Sequence, residues 1–233
     1  MSGETDLADW VPPPVPGPRQ MTGRYARLRR LTPGDAADLH AAYARDDRVW
    51  DHLPYGPFAD AAAYADWIGE AATGPDPMFY AIDDLDGGGP GGVASWLRIA
   101  PQAGSIEVGH IALSAQLQRR RAATEAMVLM MRWAFAAGYR RYEWKCDAAN
   151  RASRRAAQRL GLSYEGVFRQ AAVVKGRNRD TAWFAAIDGE WPALSRAYDT
   201  WLDPANFDAD GRQRTRLRAL TRPLLYAEDP AAA

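Results

Sequence analysis

The stretch S-I-E-V-G-H-I-A-L-S-A-Q-L-Q-R-R-R-A-A-T, residues 105–124, decides the fold. Residues 105–113 read as a strand, S-A-Q-L as a short polar link, and Q-R-R-R-A-A-T-E as the opening of a long apolar helix. The backbone N–H groups from Arg121 to Glu125 lie at or just before the first helical turn. There they lack intrahelical partners and sit at the positive end of the helix dipole, which outlines a phosphate cradle. Arg119, Arg120 and Arg121 place three cations beside it, a set suited to a diphosphate. On spacing alone the triplet also fits a solvated helix start, in a chain whose only lysines are Lys145 and Lys175.

Downstream, residues 122–137 form a helix that is apolar nearly all round, with Met127, Met130, Met131, Trp133 and Phe135 directed to a core. Gly138 ends it, and R-R-Y-E-W-K-C (140–146) is the next strand, parallel to 105–113 by the crossover rule. A short helix follows, ending at Gly161, then two strands joined by a basic turn around Gly176, then an amphipathic helix within 191–202. The Arg-rich segment 211–220 and a tail whose last few residues look disordered complete the chain.

Upstream, V-P-P-P-V-P-G-P-R-Q (11–20) is neither helix nor central strand, and reads as an extended arm lying along its own domain. Residues 24–31 form a strand, and T-P-G-D (32–35) starts a helix running to about 45. The aromatic loop W-D-H-L-P-Y-G-P-F (50–58) is either a lid over a ligand or a plug on the core edge, with Trp50 and Tyr55 as substrate-wall candidates. A second helix spans about 60–72. Strands 78–83 and 93–100 are separated by a glycine tract that lacks the Lys-Ser/Thr of a nucleotide loop; with 105–113 they make an antiparallel meander. Gly109 in mid-strand suggests a bulge or a close approach, and simple alternation puts Glu107 and His110 on opposite faces.

At 233 residues, one domain with terminal additions is expected, divided as an arm (1–22), a main domain (23–202) and a partly helical tail (203–233). Twenty-nine basic and twenty-nine acidic residues leave no net charge, which argues against nucleic acid as a partner. The single Cys146 excludes an intrachain disulfide and fits a reducing compartment. The acidic N-terminus lacks the features of a secretory signal and no apolar run is long enough to span a bilayer, so a cytoplasmic location without membrane contact is expected. No metal site is expected, and homodimerisation is left open.

The order strand, phosphate turn, helix, strand, Asn-x-x-Ser, short helix resembles the GNAT superfamily of acyl-CoA-dependent N-acyltransferases. Gln118-Arg119-Arg120-Arg121-Ala122-Ala123 matches that family's Gln/Arg-x-x-Gly-x-Gly/Ala turn except that Arg121 stands at the first glycine. C-D-A-A-N-R-A-S-R-R-A-A-Q-R-L-G-L-S-Y-E-G-V-F-R-Q (146–170) is further similar to the RimJ/RimL-like branch, which includes acetyltransferases of ribosomal-protein N-termini. The resemblance covers 24–188 and is strongest over 105–188. It implies an α+β fold, that is, a mixed α/β, mostly antiparallel sheet with helices on both faces and a parallel strand pair that splays apart. Acetyl-CoA is the implied cofactor. Its pantetheine would lie against Ile111, Ala112 and Leu113, and its phosphates against Gln118, Arg119, Arg120, Arg121, Ala122, Ala123 and Thr124. Asn150 would hold the pantetheine amide, and one of Arg154 and Arg155 is preferred over an exposed Arg159 for a phosphate.

Transfer to an amine needs a neutral amine, a stabilised oxyanion and a proton for the leaving thiolate. Glu107 is the best-placed carboxylate to take a proton, with His110 as a second base candidate; both also fit structural roles. By the resemblance, Ser153 protonates the thiolate, while its spacing from Asn150 also fits a capped helix start. Some relatives carry a glutamate shortly after the Arg-Gln pair, where this chain has Ala171 and Ala172. The expected activity is acetyl transfer from acetyl-CoA to a primary amine, on a small molecule or a protein N-terminus. The alternative is a catalytically weak acyl-CoA-binding sensor or interaction module on the same scaffold.

Overall fold

Side-chain caps set several element ends. Asp60 accepts from the Ala63 N–H at 2.8 Å and so starts a helix at Ala61; Asn150 accepts from the Ser153 N–H at 3.0 Å and starts one at Arg151. The structure, a computed structural model, describes residues 6–72 and 74–231. Its elements are β1 (Gln20–Thr22), β2 (Ala26–Arg30), α1 (Ala36–Tyr43), α2 (Ala61–Ala71), β3 (Met78–Asp84), β4 (Pro90–Ala100), β5 (Ser105–Leu113), α3 (Arg121–Ala136), β6 (Arg141–Asp147), α4 (Arg151–Arg159), β7 (Ser163–Val174), β8 (Arg177–Ile187), α5 (Trp191–Leu202) and α6 (Leu217–Thr221).

The eight strands form one sheet in the order β1-β2-β3-β4-β5-β6-β8-β7. Every neighbouring pair is antiparallel except β5 and β6, which run parallel across the α3 crossover. Helices cover both faces. Alternating residues of β2 to β4 (Leu28, Tyr80, Ile82, Trp96) join α3 and α5 in one core, and the intervening ones (Phe79, Ala81, Val93) join α1 and α2 in another. The expected mixed sheet with a parallel pair is the observed architecture.

Two local expectations need correction. The glycine tract is not all connection: β4 begins at Pro90, and glycines continue into it because a Cβ at Gly92 would lie 2.8 Å from the Ala112 carbonyl oxygen. Nor is the C-terminal end loose as far as it is described. Asp229 is buried, and its main-chain N–H donates to Gln158 Oε1 at 3.0 Å. At the other end Pro13 and Pro16 are buried, and Tyr139 and Tyr80 donate their hydroxyls to the carbonyls of Pro14 (3.0 Å) and Pro18 (2.7 Å). Residues 1–5, read as part of the acidic N-terminus, and 232–233, the extreme tail, lie outside the described residues. No helix among the described residues is long and apolar enough to cross a membrane.

Candidate active site

The strands β5 and β6 pair only from Ser105↔Arg141 to Val108↔Trp144, although both continue beyond that point. From Gly109 onward β5 keeps β4 on one edge and has no strand on the other, so its main chain faces an open gap. Within this stretch Ser95↔Gly109 and Val93↔Ala112 leave two β5 residues, His110 and Ile111, opposite one β4 residue. That is a β-bulge, and His110 carries the left-handed φ of 50° that makes it. The bulge overturns the alternation expected for this strand. His110 packs against Tyr55 and Phe79 on the α1/α2 face, and it lines the same cleft as Glu107.

The cleft has a volume of about 1130 Å³ and runs from this gap past the start of α4 to the N-terminal side of α3. Ile111 and Leu113 line it; Ala112 does not, being buried with its carbonyl accepting the Tyr43 hydroxyl at 3.2 Å. Gln118 and Arg119 line its cationic end, with Arg119 in the left-handed region at φ 63°. Arg120 instead reaches back to the Gln116 carbonyl at 3.3 Å. Arg121, the first residue of α3, turns its guanidinium away onto Asp86 (2.7 Å) and over the Tyr25 ring (4.1 Å). Only its N–H remains with those of Ala122, Ala123 and Thr124 at the helix start.

Arg154 and Arg159 exchange their expected roles. Arg154 is held by two bonds of 2.6 Å to Asp229 and one of 2.9 Å to the Ala148 carbonyl, so its guanidinium is committed to the fold. Arg159, expected to be exposed, lines the cleft; it donates to Thr124 Oγ1 at 3.0 Å and lies over the Trp201 ring at 5.2 Å. Burial lowers its pKa, and no carboxylate among the described residues pairs with it. Arg155 and, from α6, Arg218 line the same end. An anion is the partner that this set of guanidinium groups and helix N–H groups fits.

Asn150 and Ser153 sit mid-cleft. Asn150 is the α4 cap, and Ser153 Oγ accepts from Trp144 Nε1 at 2.9 Å, which fixes it at the mouth of the gap. The neighbouring Cys146 thiol is pushed up to about 11 by burial and stays protonated. Glu107 is 3 % exposed and held by Arg98 Nη1 (2.8 Å) and Lys145 Nζ (2.9 Å). Burial raises its pKa, against the pull of Lys145 and Arg98. His110 is lowered to about 4 by burial, then by the charges of Arg98 and Arg179, so it is neutral near pH 7.

The aromatic loop is a plug. Trp50 is buried against Tyr43, Phe58 and Tyr64, and Tyr55 stacks on Trp67 and His110 rather than lining the cleft. What this loop turns toward the cleft is Asp51, His52, Leu53 and Pro54. His52 Nδ1 meets Asp147 at 3.2 Å, and Lys175 of the β7–β8 turn donates to the Trp50 carbonyl at 2.9 Å, so the loop bridges the cleft's two sides.

A family model of the acetyltransferase (GNAT) domain matches residues 26–163. The chain belongs to the GNAT acetyltransferase family. Among solved structures, a GCN5-related N-acetyltransferase from Brucella melitensis shares 43% identity, with TM-score 0.90, over 93% of this chain and 100% of that one. A probable GNAT-family acetyltransferase from Chromobacterium violaceum ATCC 12472 shares 39% identity, with TM-score 0.77, over 83% and 98%. The microcin C7 self-immunity acetyltransferase MccE, solved with acetyl-CoA and AMP, shares the fold at 18% identity and TM-score 0.61, over 71% and 93%. No curated protein matches the chain.

Several residues of this GNAT cleft escaped the sequence reading: Arg98, Lys145, Asp147 and Arg218. One signal was available. In β6 the charged residues Arg141, Glu143, Lys145 and Asp147 alternate with apolar ones, which marks a charged strand face. That face carries Lys145 to Glu107 and to Glu143, the latter at 2.7 Å. Arg218 had no local signal, since only the tertiary path of the tail brings it to the cleft.

Proposed function

We propose that this GNAT protein is an acetyl-CoA-dependent N-acetyltransferase acting on a primary amine, of a small molecule or a protein N-terminus. The single observation that carries the reading is the continuity of the cleft: an open β5 edge, then Ser153 and Asn150, then a cationic end at the start of α3. The β5 edge matches an amide-bearing chain, and Gln118, Arg119, Arg155, Arg159 and Arg218 with the first N–H groups of α3 match a phosphorylated nucleotide. Acetyl-CoA would supply a thioester carbonyl activated for attack by nitrogen.

The chain's own residues then divide the proton work. Glu107 takes the proton of the acceptor ammonium, directly or through water; burial makes it a better base than a free carboxylate. Ser153 Oγ, positioned by Trp144, gives its proton at the leaving sulfur and is reprotonated through solvent, which takes up the proton that the attacking nitrogen sheds as the amide forms. N–H groups on the open β5 edge are the available donors for the developing oxyanion. His110, with its pKa near 4, takes no part as a base at neutral pH. The similarity of 146–170 to the RimJ/RimL-like branch keeps a protein N-terminus among the candidate acceptors beside small-molecule amines, in a cytoplasmic setting.

Two measurements test this together. Calorimetry with coenzyme A should show saturable binding, and thiol release from acetyl-CoA should depend on an added amine. Absence of heat at millimolar coenzyme A would remove the cofactor; binding without transfer across a broad amine panel would leave a sensor instead.

A further inference from the structure

Two buried polar atoms that line this cleft have no partner: Nδ1 of His110 on β5 and Nε of Arg179 on β8. They are the unpartnered ones among the buried side-chain atoms of described cleft residues, and buried polar atoms are normally satisfied. Arg179 makes no ion pair with any described carboxylate. It lies in β8 two residues before Thr181, the partner of the last β6 residue Asp147, and so reaches past the end of β6 toward the gap. Its charge is felt at His110 on one side of that gap and at Cys146 on the other. The paired carboxylates of the cleft are engaged elsewhere: Glu107 holds Arg98 and Lys145, Asp46 holds Arg48, and Asp147 meets His52. That leaves Arg179 as a cation of the cleft without a paired carboxylate, with His110 lining the same space. A guanidinium and a neutral imidazole, which carries one N–H, are together a donor set that suits a carboxylate.

We propose that Arg179 and His110 form a receptor for a carboxylate carried by the acceptor, so that the acceptor is an amino-carboxylate and not a plain amine. This rests on the transferase reading for the word acceptor; the carboxylate site itself stands on Arg179, which lines the cleft without an ion pair, and on His110 in the same cleft. The bulge that turns His110 onto the Glu107 face then has a use: one surface presents a base for the amine and a clamp for the acid group. Amines flanked by an amide or ester would lack the charge-assisted contact and leave both donors idle.

The experiment has two arms that fail separately. In the first, the His110 ring resonances, assigned with His110→Phe, are followed while the protein is titrated with propionate or with propionamide. Propionate should shift them saturably at millimolar concentration and propionamide should not. Arg179→Met should weaken propionate by at least about tenfold, with Arg179→Lys in between because it keeps the charge but loses the fork. Equal responses to acid and amide in the wild type, or unaltered propionate binding in the folded variants, overturns the proposal. In the second arm, kcat/KM for amino acids should exceed that for their carboxamides by at least about tenfold, carried mainly by KM, with the gap closing in Arg179→Met. Amides turned over as well as acids also overturns it. If coenzyme A gives no heat but propionate still discriminates, the transferase reading falls and the carboxylate site remains.

Discussion

Single residues divide into those whose chemistry the sequence announced and those whose surroundings decide it. Asn150 was legible as the cap of a helix start, and the capped geometry is present, with Ser153 in the first turn at the cleft. Ser153→Ala should lower kcat by about 10²-fold or more while coenzyme A affinity, measured by calorimetry, stays within about threefold. Equal losses in both would reduce Ser153 to a ligand contact. His110 shows the opposite case, since nothing in S-I-E-V-G-H-I reveals that burial and two arginine charges hold it neutral. The folded protein resists protonating His110 until about pH 4, whereas the unfolded chain takes up that proton near 6.5. Between those values the unfolded state binds more protons. The stabilisation is therefore complete above pH 6.5 and is lost as pH falls toward 4. In urea unfolding, moving from pH 7.5 to pH 5 should cost the wild type about 2 kcal/mol more than His110→Phe. Parallel losses would mean that His110 is solvated.

At the scale of elements, periodicity, caps and breakers located the strands and helices well, because those signals act within a few residues. Cooperation between distant segments was not legible. The placement of α4 is the clearest instance. Its inner face is held by Arg154 on Asp229, a pair with side chains 8% and 0% exposed, by Gln158 on the Ala227 carbonyl, and by Asp229 N–H on Gln158. The sequence displayed Arg154 and Arg155 as equals next to Asn150; the fold commits one and leaves the other to the cleft. Asp229→Ala strands a buried guanidinium and should destabilise the protein by about 3–5 kcal/mol in chemical denaturation. Adding Arg154→Met should restore a large part of that loss, since the penalty is the unpaired charge itself. Additive losses in the double variant would assign the effect to packing.

For the molecule as a whole, zero net charge correctly says nothing about where charge gathers. Arg155, Arg159 and Arg218 come from helices separated in the chain, and they meet only because α6 and α4 share a side of the sheet. Attraction of an anionic nucleotide is then local and open to screening. The dissociation constant of coenzyme A should rise several-fold between about 0.1 M and 1 M salt, as the Debye length contracts from ~10 to ~3 Å, with little change in melting temperature. A salt-independent constant would place the ligand elsewhere. Fold was readable because the meander, crossover helix and Asn-x-x-Ser order constrain topology; the acceptor was not, because its walls are assembled from β4, β5, β8 and a loop. Mechanically, the sheet is one plank with a seam. Four residue pairs, Ser105↔Arg141 to Val108↔Trp144, join the first five strands to the last three. The seam acts as a fulcrum, so a slight rotation there is magnified at the far end, where His52 latches onto Asp147. A force drawing β4 from β8 would open the seam pair by pair rather than shear it, and anything wedged along β5 would set the torque required.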